Sequence, residues 1–264
     1  MKQMVAMVAC LLTAAGVAGI ARAGVVIDEQ VTTIQGGAPA VTHTRELMVQ
    51  GHKEKMVSDR NMFVIDLDKG TMMLIDPGQK VYAEMPFPPH GMSNNPGQQL
   101  DLNFQKTGKK SKVLDYGCEE YSGEAKTAMA AVSTSGCFSA SAPGAAEFTE
   151  FTQAMGMKLK NAKAMGGKMP SGIPLTMDST RTMNAGFSVP GMAPEQAARL
   201  KEMMAKQGPQ TTKTVVTKIA TRDLSADMFT VPAGYERRAL GGPGAPPPGG
   251  AGTGAPPPGA KVPE

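Results

Sequence analysis

The chain has 264 residues and a formal net charge of +4, enough length for one large domain or two small ones. Lys2 and Arg22 supply two of these charges from the N-terminal segment, and the modest remainder argues against nucleic acid as a partner. The composition is also unusual in holding no tryptophan and 21 methionines.

The first 23 residues are typical of a secretion signal. Lys2 precedes an apolar run from Val5 to Ile20, and Ala21-Arg22-Ala23 gives the small-x-small pattern that signal peptidase reads. The run is shorter than the roughly 20 residues of a transmembrane helix, and no later segment is apolar enough to span a membrane. We therefore predict a signal peptide over residues 1–23 and a mature protein that is periplasmic or secreted.

Residues 24–87 are typical of short strands joined by tight turns. Asp68-Lys69-Gly70 predicts one turn, and Asp76-Pro77-Gly78-Gln79 predicts another with Gly78 left-handed. Such short connections join antiparallel neighbours, so we expect a meander. Both faces are apolar in Met62–Ile65 and in Met72–Ile75, and these strands must therefore be covered on both sides.

The rest of the chain predicts more strands and two helices. Pro143-Gly144 precedes a helix that carries Phe148, Phe151, Met155, Leu159 and Ala162 on one face and stops at Gly166-Gly167. A second helix is predicted from Pro194 to about Gln207. The further strands are placed at Lys112–Tyr116, Glu119–Ala125, Met129–Phe138, Ile173 to about Ala185, and Thr211–Thr221, after a loop that begins at Pro86.

Two cysteines, Cys118 and Cys137, remain after the signal is removed. An exported chain meets an oxidising compartment, where such a pair forms a disulfide worth about 3 kcal/mol in the chain-entropy model. A metal or redox pair is the alternative, but neither cysteine lies in a CxxC motif or has a histidine within a few residues.

Three stretches carry a resemblance to a known family: VIDLDKGTMMLIDPGQKVYAEMPF from Val64, GIPLTM from Gly172, and KIATRDLSADMFTVPAGYE from Lys218. Together they resemble an uncharacterised domain-of-unknown-function family of exported bacterial proteins, which in turn resembles the outer-membrane lipoprotein-carrier class. The resemblance covers Gly24 to Arg237 without the loop from Pro88 to Lys110. It implies a half-barrel sheet wrapped around helices and a lipid or lipidated cargo, and it supplies no catalytic residue.

We therefore predict an α+β protein: a strongly curved antiparallel sheet, or half-barrel, covered by one or two helices. The domain would span residues 24–238. A disordered tail would follow over residues 239–264, because this segment is rich in Pro, Gly and Ala and cannot bury a core.

The predicted function is the binding or carriage of an apolar ligand, a lipid or acylated cargo, without enzymatic activity or a cofactor. Methionine suits such a site because its side chain adapts to varied apolar shapes. The candidate ligand-binding residues are Met72, Leu74, Phe148, Phe151, Met155 and Leu159.

Three other functions stay open. A filled core would leave a structural or interaction module of the envelope, and the oligomeric state of the protein is not predicted. Clustered methionines, such as Met155-Gly156-Met157 and Met203-Met204, together with His43, His52 and His90 could bind copper. An enzyme is the least favoured, because no HExxH, GxSxG, P-loop or dinucleotide motif is present.

Overall fold

The two predicted turns build the same structure with different residues. The computed structural model describes residues 23–59, 61–89, 100–127, 130–161, 165–166, 169–184 and 208–239, with five further positions between 195 and 202. Asp66 Oδ1 accepts a hydrogen bond from the Lys69 backbone N–H at 2.9 Å, and Asp76 Oδ1 accepts one from Gln79 N–H at 2.9 Å. Each four-residue turn then ends on a left-handed residue.

That left-handed residue is Gly70 in the first turn and Lys80 in the second, with φ of 63° and 53°. The prediction of a left-handed Gly78 was therefore wrong. Four-residue hairpin loops are built around a right-handed turn, and the chain needs a positive φ only where it re-enters the strand.

Fourteen strands and one α-helix are present in the described part of the chain. In chain order they are β1 (Gly24–Gln35), β2 (Val41–Gln50), β3 (Lys53–Ser58), β4 (Met62–Asp66), β5 (Thr71–Asp76), β6 (Val81–Pro86), β7 (Leu100–Asp101), β8 (Asn103–Val113), β9 (Tyr116–Lys126), β10 (Ala130–Ser139), α1 (Ala145–Asn161), β11 (Met165–Gly166), β12 (Ile173–Met183), β13 (Gln210–Arg222) and β14 (Glu236–Arg237).

Twelve of the strands form one curved, unclosed sheet in the order β14-β6-β5-β4-β3-β2-β1-β13-β12-β10-β9-β8. Its pairs are antiparallel except β14 with β6, and the short β7 and β11 pair separately in parallel. The long strand β1 joins the two halves, because β2 pairs with one edge of it and β13 with the other. The predicted curved antiparallel sheet is confirmed.

The helix α1 packs on one side of this sheet. Gly144 precedes it with φ of +76°, where a Cβ would lie 2.5 Å from Val25 Cβ, so only glycine lets the chain approach the sheet here. Phe148, Phe151 and Leu159 are buried. The residues of this helix-side core are Val25, Ile27, Val49, Leu67, Cys118, Cys137, Ala142, Ala145, Phe148, Phe151, Ile173, Leu175 and Val216.

The predicted disulfide lies within this helix-side core. Cys118 and Cys137 are joined by an S–S bond of 2.08 Å, with Cα atoms 5.4 Å apart. It links the neighbouring strands β9 and β10.

A second core lies on the opposite face of the meander. This far-side core consists of Val26, Met48, Val64, Ile75, Leu224 and Phe229, and Met62, Met73 and Tyr82 pack against it. Leu224 and Phe229 come from the segment after β13, which includes a 3-10 helix at Ala226–Phe229. The cover predicted for the second face of the central strands is therefore present, and the C-terminal segment supplies it.

Several predictions differ from the structure or fall outside the described residues. Strand β8 begins at Asn103, within the stretch from Pro88 to Lys110 that was predicted as loop. The five positions described within the second predicted helix have helical backbone. Of the predicted signal and tail, only Ala23 and Ala239 are described. No helix in the described residues is long and apolar enough to cross a bilayer.

Candidate functional site

Four strands of the meander present a continuous apolar surface on the helix side of the sheet. Directly opposed residues of antiparallel strands point to the same face. One row across β3, β4, β5 and β6 is Met56, Phe63, Leu74 and Ala83; the neighbouring row across β4, β5 and β6 is Ile65, Met72 and Met85. We call these seven residues the apolar ladder.

The apolar ladder is only partly covered. Leu74 and Ala83 are buried, whereas Met56, Phe63, Ile65, Met72 and Met85 remain half-exposed. Ile65 also packs against the helix-side core. Neighbouring strands lie about 4.8 Å apart, so the four strands give the ladder a width of about 14 Å. A surface of this kind can bury an extended apolar chain.

A carboxyl group ends one row of the ladder. Glu54 on β3 lies directly opposite Ile65 on β4 and Val49 on β2. Glu54 is half-buried, and the resulting desolvation raises its pKa from 4.5 to about 7, because it outweighs the favourable charge of Arg45, and Glu29 adds repulsion. Among the described residues no hydrogen bond reaches the Glu54 carboxyl group.

The nearby arginine is already paired. Arg45 Nε donates to Glu29 Oε2 across the β1–β2 pair, and the Glu29 side chain is only 4% exposed. Arg45 lies on the same face as Glu54, because Val49 is directly opposite Glu54 and Arg45 follows Val49 on that face after Leu47. Glu29 therefore offsets part of the guanidinium charge, and what Arg45 still contributes at Glu54 is smaller than the cost of desolvation.

The helix is fixed beside this site by a second carboxylate. The backbone N–H of Gly51, in the turn between β2 and β3, donates to Glu147 Oε1 in the first turn of α1. Because Glu147 is buried, this contact ties the helix to the β2–β3 turn next to the ladder. The site edge is thus positioned by three strands and the helix.

The six predicted ligand-binding residues lie in two different surroundings. Met72 and Leu74 belong to the apolar ladder. Phe148 and Phe151 belong to the helix-side core, where Phe151 is completely inaccessible, and Met155 packs on that core. Leu159 is buried as well. Their binding role stays a prediction.

Sequence reasoning missed Met56, Phe63, Met85 and Glu54 as members of one surface. Lys53, Glu54 and Lys55 are three consecutive charged residues before Met56, so the local sequence does not indicate an apolar surface. The signal that identifies the surface is strand register, since the two turns align β4, β5 and β6 and the pairing of β3 with β4 adds Met56 and Glu54.

The C-terminal half of the sheet carries a groove of a different kind. Its volume is about 570 Å³, and it crosses β8, β9, β10 and β12. Ser122 and Ser135 in the groove lie on the same face of β9 and β10 as Cys118 and Cys137, because even spacing along a strand keeps side chains on one face. Its lining consists of Asn103, Gln105, Ser122, Gly123, Glu124, Ser133, Thr134, Ser135, Asp178 and Thr180. With no apolar side chain larger than a threonine methyl group, this groove does not suit an acyl chain.

The copper alternative gains no assembled ligand set. Met155 packs on the helix-side core, while Met157 two positions later is 62% exposed. His52 Nδ1 lies 2.7 Å from Asp68 Oδ1. Within the described residues no group of three or more His, Cys, Asp or Glu side chains could hold a metal.

Comparison with known proteins finds similarity at the level of structure. No family model and no curated protein matches the chain. A DUF1329 family protein from Desulfovibrio piger is 7% identical with a TM-score of 0.34, covering 80% of this chain and 91% of its own. A LolA superfamily protein from Nitrosomonas europaea is 8% identical with a TM-score of 0.29, over the same shares.

PNGF-II, in two crystal forms, is 7% identical with TM-scores of 0.37 and 0.40. The match covers 82% of this chain, which spans about a third of PNGF-II (31%). The domain-of-unknown-function and lipoprotein-carrier types named by the sequence resemblance are thus both among the similar structures. At TM-scores below 0.5 this likeness carries no argument about the site.

Proposed function

We propose that the protein is a non-enzymatic binder of an apolar ligand, an acyl chain of a lipid or of a lipidated protein, and that the apolar ladder is the binding surface. The observation that carries this proposal is the alignment of half-exposed Met56, Phe63, Met72 and Met85 across four strands. Soluble proteins rarely leave such contiguous apolar surface without a use.

The energetics of the ladder favour this ligand class. Burial of each methylene group stabilises a complex by about 0.8 kcal/mol. A chain that crosses the ladder's width of about 14 Å would bury many such groups. Methionine supports the proposal, since its flexible thioether adapts to chains of different length and shape. The proposed compartment is the periplasm or the exterior, as the N-terminal sequence indicates.

The first experiment is native mass spectrometry of protein purified gently from the envelope fraction, followed by organic extraction. The expected result is a defined lipid or acyl species that leaves with the extraction. A clean apo mass, with no uptake of lipids when they are offered, would overturn the proposal and leave the filled-core interaction module. A mass excess that matches copper would instead support the metal-binding alternative.

A second experiment tests the location of the site. We expect the double variant Met72→Gln/Met85→Gln to bind the fluorescent apolar probe N-phenyl-1-naphthylamine about tenfold more weakly, because two apolar contacts become polar. Met157→Gln is the matched control, since it makes the same change on the exposed face of α1. Equal affinity for both variants would place the ligand elsewhere.

A further inference from the structure

Glu54 occupies the position where the apolar ladder meets the ion pair of β1 and β2. Its row runs from Val49 through Glu54 to Ile65, Met72 and Met85, so a chain lying along this row would cover the carboxyl group. A charge covered by an apolar chain loses its remaining water, which is costly unless a partner replaces that water. The protonation state of Glu54 therefore matters to any ligand on the ladder.

Within the described part of the chain, Glu54 forms no ion pair of its own. Glu29 of β1 and Arg45 of β2 lie on the same face as Glu54 and are hydrogen-bonded to each other. His43 lies on this face as well, two residues before Arg45 in β2. Ladder residues of β4, β5 and β6 carry no charge. The remaining charged neighbours are Lys53 and Lys55 of β3 and Asp66 of β4, which point to the opposite face, and Glu147 of α1, which is bonded to Gly51.

We propose that ligand binding on the apolar ladder is coupled to protonation of Glu54: the neutral carboxyl group accepts an apolar chain over it, and the ionised carboxylate disfavours that chain. This inference rests on the proposed function and adds its regulation. It also defines the ligand. An uncharged chain end fits beside Glu54, whereas an anionic head group there would meet the carboxyl groups of Glu29 and Glu54, and Arg45 on the same face is already paired with Glu29.

The protonation equilibrium of Glu54 makes the coupling effective near neutral pH. Burial places the pKa of Glu54 at about 7 in the free protein. A bound apolar chain removes further water from the carboxyl group, so its pKa rises again in the complex. By linkage, a ligand that raises the pKa binds more tightly when the group is protonated, and its affinity falls as the pH rises through the free-state pKa.

The test is a titration of the intact mature protein with N-phenyl-1-naphthylamine, which stays uncharged over the pH range used. The chain has no tryptophan, so the probe fluorescence is read without interference from protein indole. We expect the affinity of the wild-type protein to fall about five- to tenfold between about pH 6 and about pH 8, the fall expected for one linked proton. Glu54→Gln is expected to bind with the high affinity at both pH values.

Two controls separate this coupling from other titrations. His43→Gln is expected to keep the pH dependence of the wild-type protein, which would show that His43, the histidine on the same face, does not cause it. Carbon-13 NMR of the Glu54 carboxyl group is expected to show a higher pKa in the complex than in the free protein.

The outcomes distinguish the inference from the proposed function. Probe binding that is independent of pH in the wild type, or that keeps its pH dependence in Glu54→Gln, would overturn the coupling and leave the apolar site intact. Failure of both proteins to bind the probe at either pH would overturn the proposed function itself, and the coupling with it.

Discussion

The meander β3–β6 and the hairpin β8–β9 use the same antiparallel pairing but stabilise it in opposite ways. In the meander, one face contributes to the far-side core and the other forms the apolar ladder beside the helix-side core. Along β8 only Phe104 and Val113 are half-buried, and every other residue is exposed. Antiparallel pairing is therefore present both in β3–β6, which have apolar residues packed on each face, and in β8, which buries almost no side chain.

The hairpin, which buries few side chains, is stabilised by contacts between β8 and β9 and by contacts with the neighbouring strand β10. Lys106 Nζ lies 2.5 Å from Glu119 Oε2, an exposed ion pair that lowers the pKa of Glu119. Phe138 of β10 makes edge-to-face contacts with Phe104 and Tyr121, at centroid distances of 5.7 and 5.5 Å. Together with the disulfide, these contacts fix the position of the hairpin. The difference teaches that burial stabilises the meander, whereas contacts with neighbouring strands stabilise the hairpin.

The largest expected effect comes from removing an anchor of the far-side core. Phe229→Ala should lower the free energy of unfolding by about 3–5 kcal/mol, since Phe229 is 5% exposed and leaves a cavity under the meander. Phe104→Ala in the hairpin is the matched aromatic control and should cost only about 1–2 kcal/mol, because its ring is half-buried. Urea unfolding measures both. Equal losses would remove the proposed distinction between the two regions.

The next effect concerns the disulfide bond between β9 and β10. Replacing both cysteines, Cys118→Ser with Cys137→Ser, should lower the free energy of unfolding by about 3 kcal/mol, as expected for opening a loop of this sequence separation, 19 residues. Hydrogen exchange should show faster local opening in β9 and β10 while β3–β6 keep their protection. An equal increase in exchange across the meander would show that the two halves open as one unit.

Much of this architecture could be predicted from local sequence. Asp68-Lys69-Gly70 and Asp76-Pro77-Gly78-Gln79 predicted the turns that set the meander, and the apolar faces of Met62–Ile65 and Met72–Ile75 required cover on both sides. The start of the helix was predicted correctly, because Phe148, Phe151 and Leu159 repeat at helical spacing after a glycine, whereas its end lies at Asn161 and not at the predicted Gly166-Gly167. Each of these signals acts over a few neighbouring residues.

What escaped prediction depends on distant partners. Strand β8 contains Gly108 and several lysines, which are poor strand formers, yet they are tolerated on an exposed edge, where lysine also discourages further pairing. The segment around Phe229 covers the far side only because the chain returns there after β13. The position of Glu54 beside the apolar ladder could not be predicted without the register that places it opposite Ile65.

The third prediction concerns pH and acts only in the meander. Because the pKa of Glu54 is raised from 4.5 to about 7 in the folded state, folding binds a proton between these values, and stability falls as the pH rises through that window. Glu54→Gln should therefore be more stable than the wild type at about pH 8 by on the order of 2–3 kcal/mol, and equally stable at about pH 4.

The matched control for this measurement is Glu84→Gln on β6. Glu84 is exposed and lies 3.2 Å from Arg237 Nη2, so its charge costs little to keep in the folded state. Urea unfolding at the two pH values should show no comparable difference for this variant. The same pH-dependent gain in Glu84→Gln would mean that net charge, and not the burial of Glu54, controls the stability of the meander.

The smallest effect is expected from the surface charges of the hairpin. Lys106→Gln removes the short ion pair with Glu119, but both groups are exposed, and water and salt screen exposed pairs strongly. Lys110 also lies 3.9 Å from Glu119 and can replace part of the lost interaction. We expect a melting temperature within error of the wild type at high salt and a slight decrease at low salt. A large decrease at both salt concentrations would show that the hairpin depends on these charges as the meander depends on its cores, and the contrast between the two regions would then fail.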